Sequence, residues 1–272
     1  MATVTANGCE TFYEVDDFTD PWRTDVETMW LQHGVGRSTR FWHHFVPRLA
    51  RDYRVIRRDL RGHGRSGDPG PDHVWSLDEL VADMRDFMDA IGLESVHYLG
   101  ESIGGILGIL FATRHPERLK SLTICNSPTT IRPAGSKALS GGQRSAADVM
   151  RQEGSRGWAK VLLNQRVISG LDPAHTEWVL GEWAKTPAHV LTGIARTLNG
   201  ADTAELFAGV SVPTLILAPA NSPITPLEDQ VAMRRGIPNA RLAVIEGPGH
   251  EIYVDRPEEC LTALTGFLAS LR

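Results

Sequence analysis

Residues 97–107 read HYLGESIGGIL, and the frame Gly100-Glu101-Ser102-Ile103-Gly104 inside them decides how the whole chain is read. With 26 glycines in 272 residues such a frame can arise by chance, so its surroundings must supply the meaning. SVHYLG (95–100) has the aromatic and β-branched content of a strand, and 103–114 is a helix of small and apolar residues. A serine at that junction sits in a sharp turn. Its hydroxyl is lifted above the sheet, beside helix N–H groups that lack intrahelical partners. The flanking glycines suit places where neighbouring chains pass too close for a side chain. Ser102 is therefore the candidate nucleophile, and the backbone N–H of Ile103 a candidate oxyanion donor.

Outward from this turn the chain alternates strand and helix. ETFYEV (10–15) alternates polar and apolar residues as an edge strand does, and ETMWLQ (27–32), YRVIRRDL (53–60), LKSLTIC (119–125), PTLILA (213–218) and ARLAVIEG (240–247) supply further strands. A helix carrying Phe41, Trp42, Phe45, Val46 and Leu49 follows His33-Gly34. Ser76-Leu77-Asp78-Glu79 has the pattern of a capping box ahead of a helix with Leu80, Met84, Phe87, Met88 and Ile91. Asp255-Arg256-Pro257-Glu258 is expected to cap the last helix, with Leu261, Leu264, Phe267 and Leu268 facing inward. This rhythm predicts an α/β fold with a mostly parallel central sheet and helices on both faces. It is interrupted at 128–207, where helical stretches around 144–153, 156–167, 174–184 and 186–198 carry Trp158, Trp178 and Trp183. An insertion after a central strand lies over the carboxyl edge of the sheet, where open α/β sheets bind ligands. The expected organisation is a core of 1–127 and 208–272 with a helical cap over 128–207, its tryptophans mainly core of the cap.

Composition narrows the function. A formal net charge of −5 and a pI near 6.1 argue against a nucleic-acid surface. Cys9, Cys125 and Cys260 are odd in number and widely spaced, which implies neither a disulfide framework nor a zinc site. No basic start precedes an apolar stretch at the N-terminus, and the longest apolar run, 106–112, is too short to span a bilayer. The expectation is a soluble, cytoplasmic globular protein acting on a small molecule, without nucleic acid, membrane, cofactor or metal, with a homodimer left open.

Other residues complete the candidate site. His33-Gly34-Val35-Gly36 follows the strand ending in MWLQ, and the Val35 N–H is the expected second oxyanion donor. EGPGHE (246–251) places His250 in a glycine-rich loop after the last strand, within reach of Ser102 as general base. His33 is expected to shape the oxyanion loop by hydrogen bonds, while His63 and Asp59 in RDLRGHGRSG (58–67) hold a structural turn. His43 and His44 sit at the surface with no third metal ligand in view. Arg37 and Arg40 are candidates for a substrate carboxylate, though a salt-bridged or solvated role is favoured. GHGRSG lacks the Gly-Lys-Ser/Thr ending of a phosphate loop.

Taken in order, the serine turn, the His-Gly loop, RDLRGHGRSG, the helical insertion and GPGHE resemble the α/β-hydrolase superfamily over nearly the whole chain. HPERLKSLTICNSPT followed by a helical cap is most similar to the branch of 3-oxoadipate enol-lactonases and carbon–carbon bond hydrolases. The resemblance implies a nucleophile–acid–histidine triad, and there the chain departs. In the loop after the seventh-strand equivalent, Pro219-Ala220-Asn221-Ser222-Pro223-Ile224-Thr225-Pro226, Ser222 fills the slot expected for aspartate. At the alternative position after the sixth strand stands Asn126. Glu101 would substitute if it turned toward His250, although tying down nearby backbone is the favoured role; Glu182 and Asp202 are conceivable donors of a carboxylate. The implied activity is a serine hydrolase cleaving a small carboxylic ester or lactone through an acyl-enzyme on Ser102. Open alternatives are a carbon–carbon bond hydrolase, a weakly active ligand-binding relative, or a cofactor-free lyase.

Overall fold

The computed structural model describes residues 1–143 and 145–272. Among the described residues, one sheet contains β1 (Ala2–Ala6), β2 (Cys9–Asp16), β3 (Thr28–Gln32), β4 (Arg54–Arg58), β5 (Val96–Glu101), β6 (Leu119–Cys125), β7 (Thr214–Pro219) and β8 (Ala240–Ile245), in the spatial order β1-β2-β4-β3-β5-β6-β7-β8. β2 pairs antiparallel with both β1 and β4, and every pairing from β4 across to β8 is parallel. The helices are α1 (Val46–Leu49), α2 (Leu77–Ala90), α3 (Ile103–Arg114), α4 (Pro133–Ser140), α5 (Ala146–Asn164), α6 (Pro173–Trp183), α7 (Ala188–Leu198), α8 (Leu227–Gly236), α9 (Ile252–Asp255) and α10 (Pro257–Ala269). This is the α/β fold with a mostly parallel sheet that the alternation predicts. Strand β5, buried along its whole length, lies between β3 and β6 and carries Ser102 at its carboxyl end.

Several elements differ from the sequence reading for identifiable reasons. The strand at 10–15 is not the edge of the sheet, because β1 pairs outside it; Asn7 and Gly8, with φ of 45° and 71°, form the turn between them. The helix expected after Gly34 is split into a 3-10 turn over Thr39–Trp42 and the single turn α1, which starts at Val46 so that Pro47 falls in its first turn. Ser76 Oγ accepts from the Glu79 N–H (3.1 Å) as a cap should. Glu79, however, meets His73 Nε2 (2.8 Å) instead of returning to Ser76, so half of the expected capping box forms. Asp255 ends α9 and caps nothing; Pro257 opens α10 with its fixed φ and no N–H to satisfy.

Between β6 and β7 no strand occurs among the described residues, and α4–α7 occupy the interval. The stretches read at 144–153 and 156–167 form one run, α5, interrupted at Gly154 (φ 68°, ψ −177°); Arg144 lies outside the described residues. Helix α4 stands where the sequence reading placed none. Among the described residues no helix is long and apolar enough to cross a membrane.

Candidate functional site

Ser102 has φ 54° and ψ −118°, a region that costs a non-glycine residue about 1–3 kcal/mol. The surrounding backbone imposes it. Ser102 N–H donates to the Cys125 carbonyl (2.9 Å), and the Ser102 carbonyl accepts from Gly105 N–H (3.0 Å) as α3 begins. A side chain at Gly100 would run into the Gly104 carbonyl, and a Cβ on Gly104 would stand 2.7 Å from the Gln32 carbonyl oxygen. The glycine frame is thus a steric requirement of the turn.

Two backbone donors in the lining of the cavity that holds Ser102 are without partners: among the described residues neither Val35 N–H nor Ile103 N–H makes a hydrogen bond. Ile103 heads α3, where N–H groups are left over by helix geometry. The Val35 loop is fixed by His33, whose Nε2 accepts from Leu60 N–H (3.0 Å) and whose Nδ1–H therefore donates to the Gly34 carbonyl (2.7 Å). Burial and the neighbouring His63 hold the His33 pKa well below the ordinary range, keeping the ring neutral. Asp59 ties the adjacent turn by accepting from Thr39 N–H (2.6 Å) and Arg65 N–H (2.9 Å), and burial lifts its pKa to about 6. His63, also buried, contacts the Arg61 carbonyl through Nδ1 (3.0 Å). These are the structural roles expected for His33, His63 and Asp59. His43 and His44 lie side by side near the surface, and no group of three or more His, Cys, Asp or Glu is placed to hold a metal among the described residues.

His250 is buried, and its backbone N–H donates to the Arg166 carbonyl (3.1 Å), in the connection after α5. Burial beside the Arg37 charge pushes its pKa down to about 3. Its Nδ1 lies 2.9 Å from Ser222 Oγ and 3.4 Å from Thr225 Oγ1. Ser222 Oγ also accepts from Ile224 N–H (3.2 Å) and Thr225 N–H (2.9 Å). Val35, Ser102, Ile103 and His250 line one cavity of about 320 Å³, mostly apolar, whose far wall includes Trp158 and Trp183. The two tryptophans pack edge to face, with centroids 5.4 Å apart, and serve at once as helix core and cavity wall. Trp178 instead packs on Phe41.

No carboxylate hydrogen-bonds His250 among the described residues. Asn126 accepts from Cys125 Sγ–H (3.3 Å), and its side-chain amide nitrogen is unpartnered. Glu101 is fully buried against Gly34, with Oε2 3.8 Å from Arg37 Nε. Burial pushes its pKa up to about 7 against the pull of Arg37; Gly34 N–H and the Asn126 amide lie near without reaching hydrogen-bond geometry. It is turned toward the Gly34 loop and not toward the imidazole. Glu182 pairs with Arg40 and Lys185, and Asp202 accepts from Ala204 N–H (2.8 Å), so neither carboxylate serves the histidine. Arg37 is committed to Glu251 (Nε to Oε1, 2.6 Å) and to the Val35 carbonyl (2.9 Å), which gives both arginines the salt-bridged role favoured from sequence. Thr225, Arg166 and Glu251 join the site without any local sequence signal.

Comparison with known proteins agrees with this geometry. The family model described as alpha/beta hydrolase fold matches residues 27–257. The chain is 26% identical over 259 residues to 3-oxoadipate enol-lactonase 1 of Acinetobacter baylyi, covering 89% of this chain and 88% of that protein. It is 29% identical over 255 residues to a proposed carbamate hydrolase, RutD, of Azorhizobium caulinodans, covering 89% and 91%. In structure it resembles the enol-lactonase of Burkholderia xenovorans LB400, with a TM-score of 0.87 and 23% identity over 98% of this chain and all of that one. A strained serine at the strand-to-helix turn, an ordered parallel sheet beneath it and a family match across most of the chain converge: this protein belongs to the α/β-hydrolase family.

Proposed function

We propose that this chain is a hydrolase acting on a small carboxylic ester or lactone, with α4–α7 forming a cap over the core of 1–127 and 208–272. The observation that carries the reading is the convergence on one apolar cavity of the strained Ser102, the unpaired N–H groups of Val35 and Ile103, and His250. Ser102 Oγ attacks the carbonyl carbon while His250 takes its proton. The tetrahedral oxyanion rests on the Val35 and Ile103 N–H groups, each such donor being worth about 3 kcal/mol of barrier. His250 then protonates the leaving alkoxide and activates water for deacylation. Similarity to an enol-lactonase supports an intramolecular ester as substrate.

Turnover of p-nitrophenyl esters and simple lactones by wild type, Ser102→Ala and His250→Ala tests the reading. Loss of a few thousandfold in kcat in both variants is the expected result. A Ser102→Ala enzyme that keeps wild-type turnover would exclude the acyl-enzyme route.

A further inference from the structure

The hydrogen bond between Ser222 and His250 has a direction, and the neighbours of Ser222 fix it. A serine hydroxyl has one donor hydrogen and two acceptor lone pairs. Ser222 Oγ has three nitrogen neighbours within 3.2 Å: Ile224 N, Thr225 N and His250 Nδ1. The two backbone N–H groups can only donate, and they occupy both lone pairs. The hydroxyl hydrogen is left for Nδ1. We infer that Ser222 donates to His250 and thereby holds the neutral ring with its proton on Nε2, the opposite of the tautomer that a triad carboxylate holds.

In that state Nε2 presents a hydrogen to the cavity and cannot accept one from Ser102. To act as base the ring must change tautomer. The change is neutral overall: Nε2 releases one proton to solvent and Nδ1 gains one. It requires the Ser222 hydroxyl to turn its hydrogen away, leaving Thr225 Oγ1, at 3.4 Å, as the acceptor in reach of Nδ1–H. A carboxylate in the same slot has lone pairs for both backbone N–H groups and for Nδ1–H together, so the substitution by serine changes polarity as well as charge. Ser222 is in this sense a positioning residue that sets how much of the enzyme stands ready for the Ser102 attack.

This inference deepens the hydrolase reading and rests on it for its rate consequence, but the ring itself can be read independently. Nitrogen-15 NMR of His250 in the full-length protein, assigned by comparison with His250→Ala, reports which nitrogen carries the proton. The expected spectrum is the Nε2–H form in wild type, the Nδ1–H form in Ser222→Asp and a mixture in Ser222→Ala. On the ester and lactone panel, Ser222→Asp should raise kcat by roughly tenfold or more with little change in KM, and Ser222→Ala should hold at or above wild type. An Nδ1–H ring in the wild type, or a Ser222→Ala enzyme far below wild type at an unchanged melting temperature, would overturn the inference, since both mean that Ser222 accepts. An Nε2–H ring in a protein that turns over no panel substrate would leave the inference standing and count against the hydrolase reading.

Discussion

Arg37 and Glu251 lie 214 residues apart in the chain, yet the charge of one exists in the interior because of the other. Both are almost wholly buried, and the two Glu251 oxygens have separate duties: Oε1 receives the Arg37 guanidinium and Oε2 receives the Ser169 N–H. Glu251→Gln supplies one oxygen and one amide donor where two acceptors are required. It should destabilise the fold by about 3 kcal/mol, the lower end for a broken buried pair, because Glu101 remains beside Arg37 as a second counter-ion. Urea denaturation checks this, and a loss under 1 kcal/mol would show that the pair is dispensable. At this scale the sequence is informative about identity and silent about direction. The uncharged slots at Ser222 and Asn126 can be counted off along the chain. That Ser222 receives two backbone N–H groups, or that Glu101 turns toward Gly34, depends on loop dihedrals that no spacing encodes.

At the scale of elements, periodicity and end signals carry most of the fold. Helix α2 is bounded by Ser76, whose side chain satisfies a first-turn N–H. Ser76→Ala should cost about 1 kcal/mol in a urea titration with an unchanged m-value, while Glu79→Gln should cost less, because its partner is His73 and not the helix end. Strands β3, β5, β6 and β7 are legible because each is a largely apolar run buried over most of its length, whereas β4 and the half-exposed edge strand β8 are read from the shorter apolar stretches Val55-Ile56 and Leu242–Ile245. The edge strand β1 is harder to read, since ATVTA is short, largely exposed and offers only the small face of Ala2, Val4 and Ala6; its clearest signal is the Asn7-Gly8 hairpin dipeptide. Helix α4 is hard to read because it is only eight residues long, PAGSKALS, with Leu139 its one large apolar side chain.

Across the whole molecule, buried titratable groups set the acid response. His33, His63 and His250 are held neutral, His63 at about 4 and His250 at about 3, whereas in the unfolded chain each titrates near 6.5. Below that value the unfolded chain binds protons that the fold refuses, so these groups lower stability as pH falls. Asp59 and Glu101, raised to about 6 and about 7, act in the opposite sense, since the fold keeps protons that free carboxylates release. The buried His97 is held low as well, so the histidines outweigh the carboxylates and stability declines as pH falls toward 5. Urea midpoints should therefore fall between pH 6.5 and 5; a flat or rising profile would mean that the buried histidines take up protons within the fold.

The bond from His250 N–H to the Arg166 carbonyl, together with that from Ser169 N–H to Glu251, fastens the loop bearing the histidine to the chain that follows α5. The helices above the cavity are therefore no interchangeable visor. A chimera that borrowed another relative's upper helices to change substrate preference would inherit a new pocket and lose the peg on which its histidine hangs, unless the stretch from Arg166 to Ser169 travelled with the host.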